Sequence, residues 1–431
     1  MESKLVGIVG FVGILTTAYL MSNNRKKINK RLVISGLLLQ FLMAIFVLKV
    51  PVGQQLFQGL GDAITELLHC SDKGAAFVFG PLVSKGDKLV ELFGKGADYI
   101  FAFRVVPTII FVSCLVSISY YLGIMQKIVQ VVAKIVAFIM GASGSEALSN
   151  AASVFVGQVE AQLLIRPYVK GMTMSELLAS MSGSMACVSG GVLAVYIGLG
   201  IQASYLLTAS IMAAPGALVI AKIVWPETEE SQTQGDVKIE VKKTNVNLID
   251  AAAHGASDGL RIGLNVVGML IAFIALIALG DVCMGLIGKS LASMGMSMEA
   301  VGVDLKHLEL KDIFGLVFAP IAFMLGVPWN DAQTVGMLMG KKIVLNEFVA
   351  YSELSGMLKG ETPTSMGAKA EIIATFALCG FANFSSVAMQ IGGIGEIAPS
   401  RREDLARLGI KALICGTMAS YLSATLAGLI L

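Results

Sequence analysis

Runs of apolar residues, several of them close to twenty residues long or longer, recur along almost the whole of this 431-residue chain. Folded as an α-helix, such a run is long enough to cross the roughly 30 Å hydrocarbon core of a bilayer. Charged residues make up only 14% of the sequence, whereas a soluble protein carries about 25%. The chain is therefore predicted to be an all-α integral membrane protein, with about eight transmembrane helices surrounded by membrane lipid.

The rest of the composition disfavours several function classes. The formal net charge is +2, which gives no reason to expect a nucleic-acid partner. Six cysteines are scattered without a Cys-x-x-Cys pair, so neither a zinc site nor a disulfide framework is indicated, and no cofactor is expected. The first apolar stretch has no basic region before it, which argues against a cleaved signal peptide.

Basic residues orient the predicted spans. Five Lys or Arg fall within residues 23–31, between the first two spans, and short basic loops of membrane proteins lie in the cytoplasm. The N- and C-termini are then expected outside. On this count residues 1–50 form two transmembrane helices, and residues 51–104 form a scaffold segment with an interfacial helix. Residues 226–257 form a long cytoplasmic loop with another interfacial helix.

Two apolar regions are interrupted by turn-forming residues, and both are predicted to be re-entrant helical hairpins. Hairpin 1 covers about 127–165 around the segment GASGSE, and hairpin 2 covers about 311–356 around GVPWND. Broken helices of this kind occur where a transporter lines a cavity. The distribution of basic loops indicates that the two hairpins open to opposite faces of the membrane.

The two interrupted regions also resemble each other. FIMGASGSEA and FMLGVPWNDA share the pattern Phe-x-x-Gly-x-x-x-x-acid-Ala. We therefore expect inverted repeats, 105–225 and 258–431, that meet at the midplane, the usual place of a transporter's substrate site. The first repeat would include spans four (about 174–200) and five. The second would include span six, an interfacial stretch at 289–310, span seven (about 367–393) and span eight.

Polar side chains lie inside these apolar regions, where they are costly. Gln158 and Glu160 fall in hairpin 1, whereas Asn346 and Glu347 fall in hairpin 2. The polar residues of span seven are Asn383, Ser385 and Ser386. An ionised side chain at the centre of a membrane helix costs roughly 2.5–3.5 kcal/mol. The set is either a network that joins helices or the wall of a cavity for a neutral, hydroxyl-rich ligand, because amides both donate and accept hydrogen bonds.

At these positions the chain resembles the concentrative nucleoside transporter family. GQVEAQLLIRPY (157–168) is similar to the family's first-hairpin motif, G-Q-[TS]-E-A-P-L-L-I-[RK]-P-Y. NEFVAY and CGFANFSSVA match its second-hairpin and seventh-span motifs, and the resemblance covers about residues 75–431. It implies a homotrimer, of the kind found in the bacterial inner membrane, that imports nucleosides such as uridine by an elevator mechanism driven by sodium ions or protons.

The resemblance also implies roles for individual residues. Gln158 and Glu160 would face the nucleobase, Glu160 through water, with Val159 between them. The residues that would pack against the base are Val192 and Phe381. The residues that would hold the ribose hydroxyls are Glu347, Asn383 and Ser386.

Three departures from the family pattern bear on the predicted chemistry. Val159 replaces a Thr or Ser, so one hydroxyl that would face the base is missing and base selectivity is left open. The sodium-coupled pattern has Asn and Thr or Ser at the positions that Ser153 and Cys187 occupy here. The other ligands would be the backbone carbonyls of Val156 and Val188. Because sodium prefers oxygen ligands, a thiol is a poor substitute, and proton coupling is the alternative to sodium coupling.

Two other function classes are considered from the sequence. A membrane-embedded enzyme would need a nucleophile with a base, or metal ligands, in the cavity. No His lies near the motifs, and Cys187 has no basic neighbour in the sequence. A passive channel would need an open pore, which a compact polar site between two hairpins disfavours. A secondary active importer is therefore the favoured interpretation.

Overall fold

The computed structural model describes residues 2–83, 100–233, 245–296, 304–360 and 366–431. These residues are mostly helical and include no β-strand, which confirms the predicted all-α class. The helices up to residue 224 are α1 (Glu2–Leu20), α2 (Lys30–Leu48), α3 (Pro51–Phe79), α4 (Phe101–Tyr121), α5 (Ile124–Met140), α6 (Gly144–Ser153), α7 (Glu160–Leu163), α8 (Arg166–Val169), α9 (Met174–Ala186), α10 (Gly190–Gly198) and α11 (Ala203–Val224). The later helices are α12 (Leu248–Ser293), α13 (Leu310–Met324), α14 (Trp329–Val344), α15 (Glu347–Leu358), α16 (Ala368–Leu378), α17 (Phe384–Ile397) and α18 (Arg402–Ile430).

The membrane-spanning segments are fewer and more broken than the sequence predicts. Six helical segments of the described chain are long and apolar enough to cross a bilayer, and α13 with α14, bent by 118°, passes the same test as a pair. Spans four and seven, which we expected to be continuous, are both interrupted. Span four is α9 and α10, with a break at 187–189, and span seven is α16 and α17, with a break at 379–383.

The longest helix is α12, which packs along α4. Its 46 residues extend about 69 Å at 1.5 Å per residue, about twice the thickness of the hydrocarbon core. The contact with α4 is made by Gly255, Gly259 and Gly263, and a Cβ added to Gly259 would lie 2.6 Å from the Cα of Ile110. Small residues four apart allow membrane helices this close approach.

All three stretches that we expected to be interfacial are only partly described. In the stretch at 226–257, residues 248–257 form the first turns of α12 rather than a separate helix. The segment after span two contains α3, which is not among the helices apolar enough to span a membrane. Residues 84–99 of that segment lie outside the described residues. The predicted interfacial stretch at 289–310 begins as the last turns of α12, which continues to Ser293, so its start belongs to a longer helix. Residues 297–303 again lie outside the described part of the chain.

GASGSE, around which the sequence predicts hairpin 1, is the first of two interruptions in this region. That segment joins α5 to α6, and its Ser143 and Glu146 form a capping box at the start of α6. The joint packs against the end of α11 and the polar segment that follows it. Glu146 Oε2 lies 2.7 Å from Lys222 Nζ, and the N–H of Gly144 donates to the carbonyl of Thr233 at 2.8 Å.

The second interruption, at 154–159, is where the chain reverses direction between α6 and α7 and contacts a broken helix. The carbonyl of Phe155 accepts a hydrogen bond from the N–H of Gly190, at the break between α9 and α10. After α7 and α8 the chain is back beside the start of α9, where Arg401 Nη1 donates to the carbonyls of Lys170 and Met172. Hairpin 1 therefore consists of α6 and α7–α8, and α5 precedes it. GASGSE is richer in Gly and Ser than residues 154–159, so its composition indicated a turn more strongly.

Hairpin 2 has the same plan. Gly326, at φ 98°, follows the end of α13, and Asp331 is the third residue of α14. Asp331 accepts from the N–H of Gly367 at 3.3 Å, so the joint lies beside the start of α16. The interruption is at Leu345 and Asn346, between α14 and α15. The chain therefore bends sharply at GVPWND, by 118° between α13 and α14, and is interrupted a second time at 345–346.

The shared sequence pattern now has a physical explanation. Its glycine, Gly141 or Gly326, adopts a positive φ where a helix ends, a conformation that other residues adopt only with strain. Its acid, Glu146 or Asp331, lies in the first turn of the next helix, where a negative charge is favourable. The same order of elements occurs twice along the chain. A joint is followed by two hairpin helices with an interruption between them, then by a broken helix and a continuous helix.

The buried charge pair at the first joint gives a test of this arrangement. Lys222 Nζ also donates to Ser175 Oγ at 2.9 Å, so the ammonium links α6, α9 and α11. Removing one member of a buried ion pair costs about 3–5 kcal/mol, because the other charge stays buried alone. We expect Lys222→Met to lower the thermal unfolding midpoint strongly, and Glu146→Gln combined with Lys222→Met to recover part of the loss.

The matched control is Lys306→Met, at an exposed lysine, which should leave the midpoint nearly unchanged. A double variant that is no more stable than Lys222→Met alone would show that the two charges do not depend on each other.

Candidate functional site

Four helix interruptions meet in the interior of the protein. They lie at 154–159 and 345–346 in the two hairpins, and at 187–189 and 379–383 in the two broken helices. Each interruption leaves backbone N–H and C=O groups without partners inside a helix. In an apolar environment these groups need other partners, because an unpaired polar group costs several kcal/mol.

Part of this need is met by contact between the interruptions themselves. The N–H of Phe381 donates to the carbonyl of Cys187 at 3.3 Å, so the breaks of the two broken helices are joined directly. Gly380 has a φ of 112°, and a Cβ there would lie 2.5 Å from the carbonyl oxygen of Ala186. Glycine at this position therefore allows the two backbones to approach.

Side-chain caps close three of the helices that begin at these interruptions. Asn383 Oδ1 accepts from the N–H of Ser386 at 2.9 Å at the start of α17. Asn346 Oδ1 accepts from the N–H of Val349 at 2.9 Å at the start of α15. Ser189 caps α10 in the same way, through a weaker bond of 3.4 Å. Asn346, which the sequence marked as a costly polar residue, is therefore explained by its capping role.

Glu347 is buried and has two side-chain donors. The hydroxyl of Tyr196, in α10, donates to Oε1 at 3.1 Å, and Nδ2 of Asn383 donates to Oε2 at 2.9 Å. The ring of Tyr196 stacks against Tyr351, with 4.3 Å between the ring centroids. One carboxylate thus connects hairpin 2, the first broken helix and the second broken helix.

Gln158 makes the corresponding connection from hairpin 1. Its Nε2 donates to Ser386 Oγ at 3.1 Å, and its Oε1 accepts from Gln390 Nε2 at 3.3 Å. Asn383 and Ser386 lie in the first turn of α17, so Gln158 and Glu347 bind the same turn from the two hairpins. The structure therefore brings together Gln158, Glu347, Asn383 and Ser386, four of the predicted substrate residues.

The other predicted substrate residues lie around this cluster without joining its hydrogen bonds. Glu160 is exposed and borders a cavity of about 1200 Å³. Val159 packs against α17, since a Cβ at Gly393 would lie 2.6 Å from its Cγ1. The two apolar residues that are partly buried and pack against the core are Val192 and Phe381.

The cavity lies between α4, α12 and hairpin 1. Phe155, Val156 and Glu160 of hairpin 1 line its inner part, and Arg166 lines it near the base of the hairpin. Asp258 of α12 lies on the opposite wall. The interrupted segment of hairpin 1 is therefore accessible from the end of the molecule that carries the basic loops.

Three of the four residues proposed to bind sodium, Ser153, Cys187 and Val188, are already hydrogen-bonded through the groups that would bind the ion, whereas Val156 lines the cavity. The carbonyl of Cys187 accepts from Phe381, and the carbonyl of Val188 accepts from Ser210 Oγ at 3.4 Å. Ser153 Oγ donates to the carbonyl of Ser149 at 2.8 Å. The thiol of Cys187 donates to the carbonyl of Ser210 at 3.5 Å. A cation in this place would have to replace several of these bonds, and it would find a thiol instead of a hydroxyl.

Gln162 extends this network and was not singled out from the sequence. It stands where the family motif quoted above has Pro, and its side chain is fully buried. Its Nε2 donates to Ser184 Oγ at 2.7 Å and to Ser149 Oγ at 3.0 Å, and its Oε1 accepts from Ser180 Oγ at 2.6 Å. Both arms of hairpin 1 are thereby joined to α9 without an ion. The signal that could have found Gln162 was its departure from the motif.

Tyr196 and Gln390 were also missed. Both are fully buried, and both bind a residue that the sequence did identify. Each lies in an apolar helix more than 150 residues from its partner, so no local pattern connected them.

Three family models match consecutive parts of the chain. The model described as the C-terminus of Na⁺ dependent nucleoside transporters matches residues 205–428, more than half of the chain. The model of the N-terminus of the same transporters matches residues 9–82, and one described as nucleoside recognition matches residues 102–203.

Individual relatives agree with these models. The chain is 43% identical to an uncharacterized transporter of Haemophilus influenzae, over 99% of this chain and 98% of that protein. It is 40% identical to the nucleoside permease NupC of Helicobacter pylori, with the same coverage of each chain. Among solved structures it matches CNTnw in an inward-facing, substrate-bound state, with a TM-score of 0.90 and 42% identity over 99% of this chain and 98% of that one. The relatives are named as transporters and permeases rather than as enzymes.

The contact at Gly380 can be tested by adding a single carbon. Gly380→Ala places a Cβ against the backbone of Ala186 and forces a positive φ on alanine, which costs about 1–2 kcal/mol before any clash is counted. We expect a clearly lower thermal unfolding midpoint. Gly268→Ala, where no heavy atom lies within 4 Å of the added Cβ, is the control and should not be destabilised. Equal midpoints for the two variants would mean that the breaks do not need this close contact.

Proposed function

The chain belongs to the Na⁺ dependent nucleoside transporter family, and from this premise we propose that it is a secondary active importer of nucleosides such as uridine. The observation that carries the proposal is the buried cluster of Gln158, Glu347, Asn383 and Ser386, in which both hairpins bind one helix turn. These groups are two amides, a hydroxyl and a carboxylate, a set suited to a neutral ligand with several hydroxyls.

The ribose would be recognised at Glu347. Its carboxylate accepts bonds from Tyr196 and Asn383, and a carboxylate oxygen can accept more than one hydrogen bond. Adjacent 2′ and 3′ hydroxyls could both donate to it, and hydrogen bonds to charged groups are worth roughly 1.5–3 kcal/mol each. The base would lie toward Gln158, with Val159 and Glu160 beside it and Val192 and Phe381 as its apolar walls.

Movement of the substrate across the membrane is proposed to follow an elevator mechanism. Both hairpins and both broken helices would move as one unit, because hydrogen bonds already join them at Gln158, Glu347 and Cys187. Helices α4 and α12 would belong to the stationary scaffold. The cavity between this scaffold and hairpin 1 supports a path to the side of the basic loops.

The remaining parts of the proposal concern assembly and placement. We propose a homotrimer in the inner membrane of a bacterium, with both termini outside. The distribution of basic loops supports this orientation. The trimer is what the family resemblance implies.

Sodium is the coupling ion that family membership supports, and we propose that this chain binds it weakly. Ser153 and Cys187 stand where the sodium-coupled pattern has Asn and Thr or Ser. Ser153 Oγ already donates to the carbonyl of Ser149, and the carbonyl of Val188 already accepts from Ser210 Oγ. Because sodium is a hard cation, a thiol contributes little to binding. Proton coupling is the alternative, with Glu160 or Glu347 as the carrier.

One uptake experiment tests both the function and the ion. Purified protein in proteoliposomes should accumulate [³H]uridine, with imposed sodium and pH gradients compared separately. We expect uptake that needs a high sodium concentration, or uptake that follows the proton gradient alone. Ser153→Asn combined with Cys187→Thr should lower the sodium concentration for half-maximal uptake, because the first change supplies an amide carbonyl and the second replaces a thiol by a hydroxyl.

High-affinity sodium dependence in the unmodified protein would contradict weak binding at this set. A lack of uridine accumulation under either gradient would contradict the importer proposal, and exchange without accumulation would point to a passive route.

Ribose recognition is tested by Glu347→Gln, which keeps the shape of the side chain but removes its charge. We expect the apparent KM for uridine to rise at least about tenfold, which corresponds to about 1.4 kcal/mol. 3′-Deoxyuridine lacks one donor and should lose less from the same change. Comparing two substrates on two proteins isolates the coupling between hydroxyl and carboxylate. Equal losses for the two substrates would reassign Glu347 to ion or proton coupling.

A further inference from the structure

One buried positive charge has no role in the site described so far. Lys342, in α14 of hairpin 2, is fully buried. A buried ammonium is costly unless it is well paired. Within the described parts of the chain, no carboxylate oxygen lies within 4.0 Å of its Nζ. Its neighbour Lys341 is different, because its ammonium is paired with the carboxylate of Glu353.

The partners of Lys342 are backbone carbonyls at the break of the second broken helix. Its Nζ donates to the carbonyl of Ala377 at 2.9 Å and to that of Cys379 at 3.2 Å. It also lies 6.0 Å from the centre of the Tyr421 ring, within the range of a cation–π contact. The last carbonyls of a helix lack intrahelical donors and carry partial negative charge, so a cation is favourable there.

The neighbouring carbonyls are held by neutral donors from hairpin 2 and α18. The hydroxyl of Tyr351 donates to the carbonyl of Thr375 at 2.7 Å, and Ser420 Oγ donates to the carbonyl of Cys379 at 2.6 Å. The end of α16 is thus fastened to both arms of hairpin 2. Four residues after Cys379 comes Asn383, which holds Glu347.

The two broken helices can be compared at this point. The first half of each ends at a cysteine, Cys187 after α9 and Cys379 after α16. At the first break the proposed coupling ion would use the carbonyl of Val188 and the side chain of Cys187, together with Ser153 and the carbonyl of Val156. At the second break a lysine ammonium binds the carbonyls of Ala377 and Cys379. The end of the first half of a broken helix would therefore bind an ion from solution in the first repeat, whereas it binds the ammonium of a lysine side chain in the second.

We propose that the ammonium of Lys342 is a built-in cation. It binds the carbonyls at the break of the second broken helix, as a coupling ion would bind at the break of the first. Lys342 is a positioning residue, since it acts through the end of α16 to keep Asn383 and Glu347 paired across hairpin 2. The uptake measurement that tests this inference rests on the proposed function, because it assumes that the protein transports uridine. The built-in cation also accounts for the asymmetry between the two repeats, because the second break needs no ion from solution.

The test compares two substitutions with different volumes. Lys342→Met removes the charge but fills the space, and Lys342→Ala removes the charge and leaves room for a small cation. We expect each variant to raise the apparent KM for [³H]uridine at least about tenfold. Added methylammonium chloride should restore at least part of the loss in Lys342→Ala and none in Lys342→Met. Lys341→Met is the matched control: it removes the neighbouring ammonium, which is paired with Glu353, and its uptake should not respond to methylammonium.

A second readout does not depend on transport. Methylammonium should raise the thermal unfolding midpoint of purified Lys342→Ala and leave those of the unmodified protein and Lys342→Met unchanged. If Lys342→Met takes up uridine like the unmodified protein, or if a folded Lys342→Ala gains neither uptake nor stability from the amine, the inference is wrong. If the unmodified protein transports no uridine, the proposed function fails, and the shift of the midpoint still decides the role of Lys342.

Discussion

Unpaired backbone groups at four helix interruptions are the constraint on which the rest of this structure depends. An interrupted helix in an apolar interior leaves carbonyls and N–H groups that lipid cannot bind. Here the interruptions supply partners to one another, as in the bond from Phe381 to Cys187 and the one from Gly190 to Phe155. Capping side chains such as Asn383 and Asn346 complete the set. The interior is polar because the helices are broken there.

The same constraint explains how a polar cluster can serve a ligand without weakening the fold. Asn383 caps α17 with its oxygen and binds Glu347 with its nitrogen, so one amide would serve structure and the proposed recognition together. Gln158 and Ser386 are joined in the same way from the other hairpin. A substrate would enter a network whose members are already oriented, which limits the cost of ordering side chains on binding.

The two repeats solve the problem of helix ends with different chemistry. In the first, the serine hydroxyls and the amide of Gln162 tie both arms of hairpin 1 to α9. In the second, the ammonium of Lys342 binds the end of α16 directly. A neutral network can rearrange around an ion from solution, whereas a lysine is always present. This difference agrees with the proposal that only the first repeat binds an ion from solution.

The sequence by itself determined the all-α membrane class and the existence of two related interrupted regions, and it pointed to four polar residues that the structure brings together. Membrane spans and costly polar residues follow from composition over short windows, and long motifs follow from local residue order. The tertiary structure decided which of the two interruptions in each region contacts the broken helices, because composition alone does not distinguish a glycine-rich joint such as GASGSE from a buried turn. It also decided the partners of Glu347 and Lys342, since Tyr196 and the carbonyl of Cys379 are distant in sequence and become neighbours only when the broken helices pack.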